Sequence, residues 1–168
     1  MNPETSLVWH PLRGRLKDLR TLCLLEGRTA PHWDRIENIA GSGFPDVWWA
    51  WGASGTIELK QRGAAPVRED TPCVIESITP DQRLFWRQCS EAGGSVHVLT
   101  RVGREWFLHE GGWARQWLGI VPIADLRRHN MLGPHSHQYA QQGEDKGTFQ
   151  QVELPDARTI LLLCGARP

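Results

Sequence analysis

Residues 43–60, GFPDVWWAWGASGTIELK, carry the pattern from which the rest of the chain can be interpreted. Strand-forming Trp, Val and Ile residues flank the turn-forming segment Gly52–Gly55, which predicts a β-hairpin. Side chains alternate between the two faces of a strand, so Glu58 and Lys60 share one face of the second strand. The hairpin therefore presents an acid and a cation together, beside a first strand that carries Asp46 at its start.

The register of this hairpin decides whether Asp46 joins Glu58 and Lys60. A four-residue loop would place Asp46 opposite Gln61, on the face away from Glu58. An odd loop or a one-residue bulge would bring the two acids to one face, and the loop glycines permit either geometry. We predict a bulge in one strand, and with it a shared site.

Two carboxylates that converge from neighbouring strands form a candidate metal site. Oxygen ligands of this kind suit Mg²⁺ or Mn²⁺, so Asp46 and Glu58 are the expected metal-binding acids. The Lys60 ammonium would then position a nucleophilic water or stabilise charge on a phosphate. The pattern therefore favours phosphate chemistry.

Pro45-Asp46 followed by Glu58-Leu59-Lys60 resembles the PD-(D/E)xK pattern of the restriction-endonuclease-like nucleases. The nearest likeness is to the small VRR-NUC and Holliday-junction-resolvase-like nucleases of phages and bacteria. Three flanking segments agree with it: Arg35-Ile36-Glu37-Asn38, Gly41-Ser42-Gly43 and Thr79-Pro80-Asp81-Gln82. The resemblance covers residues 32–108.

This resemblance implies an α/β fold with a restriction-endonuclease-like core, a mixed β-sheet flanked by helices. It implies a metal-dependent DNA endonuclease that hydrolyses phosphodiesters, on branched DNA or DNA under recombination or repair. Asp46, Glu58 and the backbone carbonyl of Leu59 would hold Mg²⁺ or Mn²⁺, and Lys60 and Gln82 would complete the catalytic set. Many such nucleases are dimers, since paired cuts on two strands need two sites, so a homodimer is a further expectation.

The third acid of the site and the role of Gln82 stay open at this level. Glu37 is the preferred third acid because it lies nearest to Asp46 in sequence, while the first predicted helix offers only Asp18 and Glu26. Gln82 either borders the active site or only closes a capping box at the start of its helix.

A catalytically inactive nuclease fold that acts as a DNA-binding or assembly module is the alternative function. The chain has 19 basic and 19 acidic residues and therefore no net charge. Phosphate binding depends on clustered Lys and Arg, so a large non-specific nucleic-acid surface is not expected. The presence of both the PD and the ExK residues favours the enzyme.

Length and composition indicate one globular domain. Its 168 residues allow a sizeable core, expected over about residues 12–108, with a C-terminal extension over residues 109–168. The four cysteines form no CxxC pair, which is typical of reduced, buried thiols in a cytosolic protein. No apolar run approaches the roughly 20 residues that span a bilayer. We expect no membrane partner and a cytoplasmic location, in a bacterium or a phage-infected host cell.

Hydrophobic periodicity predicts the remaining elements. Helices are expected over residues 12–26, 80–92 and 125–132, and strands over residues 32–39, 95–102, 105–108 and 158–164. The inner side of the second helix is expected to comprise Leu84, Phe85, Gln88 and Cys89. Residues 62–78 are an irregular connection that either approaches substrate or lies on an ordinary surface, and residues 133–147 are polar and expected to be mobile.

The nine tryptophans and the histidine-rich region offer rival interpretations. Trp48 and Trp49 would face opposite sides of one strand, which favours core packing over a base-stacking platform. No ββα pattern surrounds His129, His135 and His137, so exposed loop histidines are favoured over a metal cluster.

Overall fold

The computed structural model describes residues 5–36, 43–132 and 156–167 of the chain. A π-helical turn at Thr5–Trp9 leads into the first helix. The elements are, in chain order, α1 (His10–Leu25), β1 (His32–Arg35), β2 (Val47–Ala50), β3 (Ser54–Arg62), α2 (Pro80–Glu91), β4 (Ser95–Val102), β5 (Glu105–Glu110), α3 (Gly111–Trp117), α4 (Ile123–Arg128) and α5 (Ala157–Leu163).

The five strands form one mixed sheet in the order β1-β2-β3-β4-β5. Strands β3 and β4 are parallel and are joined by a connection that contains α2, whereas the other neighbouring pairs are antiparallel. A parallel pair needs such a crossover, because its strands cannot be joined by a tight turn. The predicted α/β class, with a mixed sheet flanked by helices, is confirmed.

Each face of the sheet has its own hydrophobic core. On one face, α1 and α5 pack against a cluster that includes Trp49, Ile57 and Leu59. On the other face, buried residues of α2, α3 and α4 meet Val98 and Phe107. Glu58 and Lys60 alternate with Ile57 and Leu59, so they lie on the second face.

The hairpin reaches its register through an odd loop. Ala50 pairs with Ser54, which leaves the three-residue loop Trp51–Ala53, and the pairing continues without a bulge to Val47 and Ile57. The predicted bulge is therefore wrong, and the odd-loop alternative describes the hairpin. Gly52 lies at φ +67°, a left-handed conformation that glycine adopts without steric cost.

The C-terminal strand expected over residues 158–164 is a helix. Asp156 caps it by accepting a hydrogen bond from the Thr159 amide at 2.9 Å. Its buried positions recur at helical spacing and comprise Ala157, Ile160, Leu161 and Cys164. A short apolar run is ambiguous between strand and helix, and here packing against α1 and the sheet selects the helix.

The inner side of α2 also differs from the expectation. Trp86 is the fully buried residue of this helix, while Leu84 is 43% exposed and Gln88 is exposed. Phe85 and Cys89 are half-buried and pack against the rim of the second core. The helix is thus rotated so that its indole, and not its leucine, enters the core.

Three of the other element predictions hold, and the bounds of the rest differ from the expected ones. The first helix, the strand over residues 95–102 and the helix over residues 80–92 are confirmed, whereas the helix near residue 125 begins earlier and ends at Arg128. The strand predicted over residues 32–39 ends at Arg35. Residues 37–42 and the polar segment 133–147 lie outside the described residues.

The state of the cysteine thiols and the length of the helices match what the sequence predicts. Cys23, Cys73 and Cys164 are buried free thiols, and Cys89 is a half-buried one. None of the helices in the described ranges has the length and apolar character that a bilayer crossing requires.

Candidate active site

Asp46 and Glu58 share one face of the sheet. Val47 pairs with Ile57, and one further step of this antiparallel register brings Asp46 opposite Glu58. Opposite residues point to the same face, so the odd loop produces the convergence that a bulge was expected to produce. Asp46 is half-buried at the start of β2, whereas Glu58 is 1% exposed in the middle of β3.

A side-chain hydrogen bond replaces the sheet pairing beyond the start of β2. Asp46 Oδ2 accepts a hydrogen bond from the Leu59 amide at 2.8 Å. The amide and the carbonyl of a strand residue point to the same neighbouring strand, so the Leu59 carbonyl also faces this edge. The register would match Leu59 with Pro45, which has no N–H to donate to that carbonyl. The PD dipeptide therefore ends the ladder here, and the Leu59 carbonyl stays on the edge of β3 that faces Asp46.

Glu58 Oε1 is the meeting point of two donors. Lys60 Nζ lies 2.9 Å from this oxygen, and Gln82 Nε2 donates to it at 2.7 Å. Lys60 is 2% exposed, and it also donates to the Ser77 carbonyl at 3.2 Å. Buried charges of this kind are stable only when paired and hydrogen-bonded, so the network fixes the lysine and the carboxylate in one geometry.

Gln82 closes the capping box of its helix and also contacts Glu58. Its side-chain carbonyl accepts from the Thr79 amide at 3.0 Å, and its own amide donates to Thr79 Oγ1 at 3.2 Å, which completes a capping box. The side-chain amide group of the same residue reaches Glu58. The cap therefore orients Gln82 toward the site and ties the start of α2 to the middle of β3.

Neither of the two candidate third acids that the structure describes lies near Asp46 and Glu58. Asp18 and Glu26 are exposed residues at the helix that covers the opposite face of the sheet, so they do not join Asp46 and Glu58. Glu26 is instead hydrogen-bonded to Arg28. The preferred third acid, Glu37, lies outside the described residues.

The donor set fits a hard divalent cation. Two carboxylates and a backbone carbonyl supply oxygen ligands, which Mg²⁺ and Mn²⁺ prefer. Across residues 5–36, 43–132 and 156–167, no group of three or more His, Cys, Asp or Glu side chains forms a metal cluster. Asp46 and Glu58 would therefore share the ion with the Leu59 carbonyl and with water, as is usual for Mg²⁺.

Sequence reasoning missed one contributor to the site. The Ser77 carbonyl, at the end of the long connection between β3 and α2, receives a hydrogen bond from Lys60. Every residue type offers such a carbonyl, so no residue pattern could have marked this position. The same connection is anchored elsewhere, because the Cys73 amide donates to the Val121 carbonyl at 2.9 Å.

The rival tryptophans and histidines differ in their positions relative to this site. Trp49 is fully buried in the core as expected. Trp48 is half-buried on the opposite face of β2, with the ring of His32 edge-on to it, and is not a core residue. Trp51 is 2% exposed, and its indole N–H donates to the Thr29 carbonyl. His129 stacks on Trp113 at the end of α4. His135 and His137 lie outside the described residues.

Comparison with models of known protein families finds none that matches this chain, and comparison with curated proteins finds no match either. The fold and the site define an α/β protein with a cross-strand pair of carboxylates and a buried lysine. The likeness to the PD-(D/E)xK nucleases stays a prediction from the sequence.

Proposed function

We propose that this protein is a Mg²⁺- or Mn²⁺-dependent deoxyribonuclease that hydrolyses phosphodiester bonds. The observation that carries the proposal is the convergence on one sheet face of Asp46, Glu58 and Lys60, with the lysine and Gln82 both bonded to one Glu58 oxygen. This arrangement combines oxygen ligands for a cation with a fixed positive charge. Both are needed where negative charge develops on a phosphate.

The residues of the site divide the work between binding and positioning. Asp46, Glu58 and the Leu59 carbonyl would hold the ion, which supplies Lewis acidity and a bound water of lowered pKa. The Lys60 ammonium lies beside the Glu58 carboxylate, where it would stabilise the charge of the scissile phosphate. Gln82 holds the Glu58 carboxylate in place through its hydrogen bond.

The proposal also covers the DNA substrate, the oligomeric state and the cellular location of the protein. Branched DNA, or DNA under recombination or repair, is the proposed substrate, and a homodimer is the form that would place two such sites on two strands. Four free cysteines support a reducing, cytoplasmic setting, in a bacterium or a phage-infected host.

One observation favours the non-catalytic alternative. Glu58 and Lys60 are almost completely buried and form an ion pair, as a structural pair in an inactive nuclease fold would. Such a module would bind DNA or a partner protein without cleaving DNA.

The test is cleavage of plasmid, branched and single-stranded DNA with Mg²⁺, with Mn²⁺ and with EDTA. We expect metal-dependent cleavage that falls by orders of magnitude in Asp46→Asn and in Lys60→Gln. Asp46→Asn keeps an oxygen that can accept from the Leu59 amide, so its fold should persist. Asp34→Asn, which alters an exposed carboxylate on β1, is the matched control and should cleave like wild type.

Thermal melting with and without Ca²⁺ tests the metal site apart from the chemistry. A bound ion raises the melting temperature of the wild type by mass action, and Asp46→Asn should lose most of that rise. Equal responses in both proteins, or cleavage that persists in EDTA, would refute the metal site. Wild type that binds Ca²⁺ but cleaves no DNA would favour the inactive module.

A further inference from the structure

Four aromatic rings form a continuous column on the sheet face that carries the candidate site. Phe107 and His109 of β5 have ring centroids 6.2 Å apart and planes within 7°. His109 stacks on Trp113 of α3 at 4.3 Å, and Trp113 stacks on His129 at 5.3 Å. His109 is buried, whereas His129 is exposed at the outer end of the column.

A surface cavity of about 300 Å³ opens beside the outer end of this column. Its lining combines aromatic surface with one carboxylate and comprises Trp113, Trp117, Val121, Asp125 and His129. Trp117 lies one helical turn beyond Trp113 and is 45% exposed. This exposed indole, next to the stacked rings, offers a flat apolar surface that a planar ligand would cover.

We propose that this cavity binds an unpaired nucleobase. The exposed rings of Trp117 and His129 offer stacking surface, and every base has a π-face that can use it. The Asp125 carboxylate accepts hydrogen bonds and so matches the N–H groups on the edge of guanine, adenine or cytosine. Arg128, bonded to Asp125 at 2.7 Å, places a cation at the same rim, where the phosphate of the nucleotide would lie.

The geometry favours a planar base over an organic cation. A cage for a quaternary ammonium presents ring faces to the cation, while Trp113 and His129 are only 27° from parallel and stack on each other. Arg128 also neutralises part of the Asp125 charge, which weakens the attraction for a further cation. The cavity would therefore recognise a base by stacking on its aromatic rings and by one hydrogen-bond acceptor, the Asp125 carboxylate.

The cavity and the candidate active site lie on the same sheet face. Glu58 pairs with Val98 and Val98 pairs with His109, so His109 stands two strands from Glu58 in one row. Neighbouring strands are about 4.8 Å apart, which puts the two backbone positions roughly 10 Å from each other. Trp113, which stacks on His109, lines the cavity, so this row of residues connects the candidate site to the cavity wall. Together with the proposed function, on which this part rests, the cavity makes DNA with an unpaired nucleotide near the scissile bond the expected substrate.

Binding measured without divalent metal separates the cavity from hydrolysis. Anisotropy of a labelled single-stranded oligonucleotide in EDTA should show binding that weakens at least about fivefold in Trp117→Ala. Asp125→Asn should weaken purine and cytosine oligonucleotides more than oligothymidine, because thymine offers one N–H and no amino group. The control is Leu25→Ala, which removes an exposed side chain from the far end of α1 and should bind like wild type.

The outcomes decide the two proposals independently. Loss of cleavage in Asp46→Asn, together with weaker oligonucleotide binding in Trp117→Ala, supports both proposals. If the wild type never cleaves DNA but Trp117→Ala still weakens binding, the cavity is supported and the nuclease is refuted. Equal binding by wild type and Trp117→Ala would overturn the cavity. Displacement of the oligonucleotide by millimolar tetramethylammonium, with no displacement by nucleoside monophosphates, would overturn it too.

Discussion

Two buried histidines make the stability of this protein sensitive to mild acid. Burial lowers the pKa of His97 and that of His109 to about 4, below the ordinary histidine value of 6.5. Between these values the unfolded chain binds protons that the folded chain excludes, so the free energy of unfolding falls as the pH is lowered. We expect a loss of up to about 1 kcal/mol per pH unit per histidine from pH 6.5 toward pH 4. Urea unfolding at several pH values measures this slope.

A substitution at His97 identifies the source of the pH dependence. His97→Gln should flatten the slope between pH 6.5 and pH 4, because one of the two excluded protonation sites is gone. Leu25→Ala is the control, since this 79% exposed side chain carries no titratable proton and its loss should leave the slope unchanged. An unchanged slope in His97→Gln would show that its burial does not govern acid stability.

Two glycines with opposite surroundings test the hairpin. Gly52 lies at φ +67°, and a Cβ there would overlap the carbonyl oxygen of Arg167. Gly52→Ala should therefore displace the C-terminal segment and destabilise the fold by several kcal/mol. Gly14, inside α1, has open space around it, and Gly14→Ala should stabilise by about 0.5–1 kcal/mol. Thermal melting of both variants checks the contrast. Equal effects would mean that the loop does not contact the chain end.

At the scale of elements, one residue, Gln82, both caps α2 and contacts Glu58 of the candidate site. Thr79→Ala removes the acceptor for the Gln82 amide and should cost about 1 kcal/mol of unfolding free energy. Gln82→Ala removes the cap from the Thr79 amide and also the bond to Glu58, so we expect a similar loss of stability and, in addition, a lower rate of DNA cleavage. Chemical unfolding and cleavage assays on both variants separate the roles. If both variants keep wild-type specific activity, Gln82 is a structural cap alone.

At the scale of the whole molecule, the balance of charges limits binding to plain duplex DNA. With 19 basic and 19 acidic residues, the chain has no net positive field to attract phosphates. We expect weak affinity for random duplex at about 50 mM salt and almost none at about 200 mM. A filter-binding titration at both salt concentrations measures it. Tight binding at the higher concentration would reveal a concentrated basic face and contradict the prediction.

The sequence expectations that succeeded concern residues that lie close together in the chain. Alternation along β3 predicts that Glu58 and Lys60 share a face, and the structure pairs them at 2.9 Å. The motif Thr79-Pro80-Asp81-Gln82 predicts a capped helix start, and the box forms. Both features depend on residues close together in the chain, where backbone geometry alone fixes which side chains meet.

The expectations that failed depended on contacts between distant segments. Leu84 and Trp86 differ little in local pattern, and the sheet and α3 select the indole for the core. The C-terminal run is a helix because α1 and the sheet receive its apolar stripe. Local periodicity cannot decide such cases, since the partner surface lies far away in sequence.

The sequence by itself determined the residue types of the site, the face that Glu58 and Lys60 share, and the cap that aims Gln82. Only the tertiary structure decided that Asp46 joins them, because a change of one residue in the hairpin loop moves every side chain of β2 to the opposite face. The sequence allowed either register, with glycines that suit both. The structure adopts the one that buries Val47 and Trp49 against α1, and this burial brings Asp46 to Glu58.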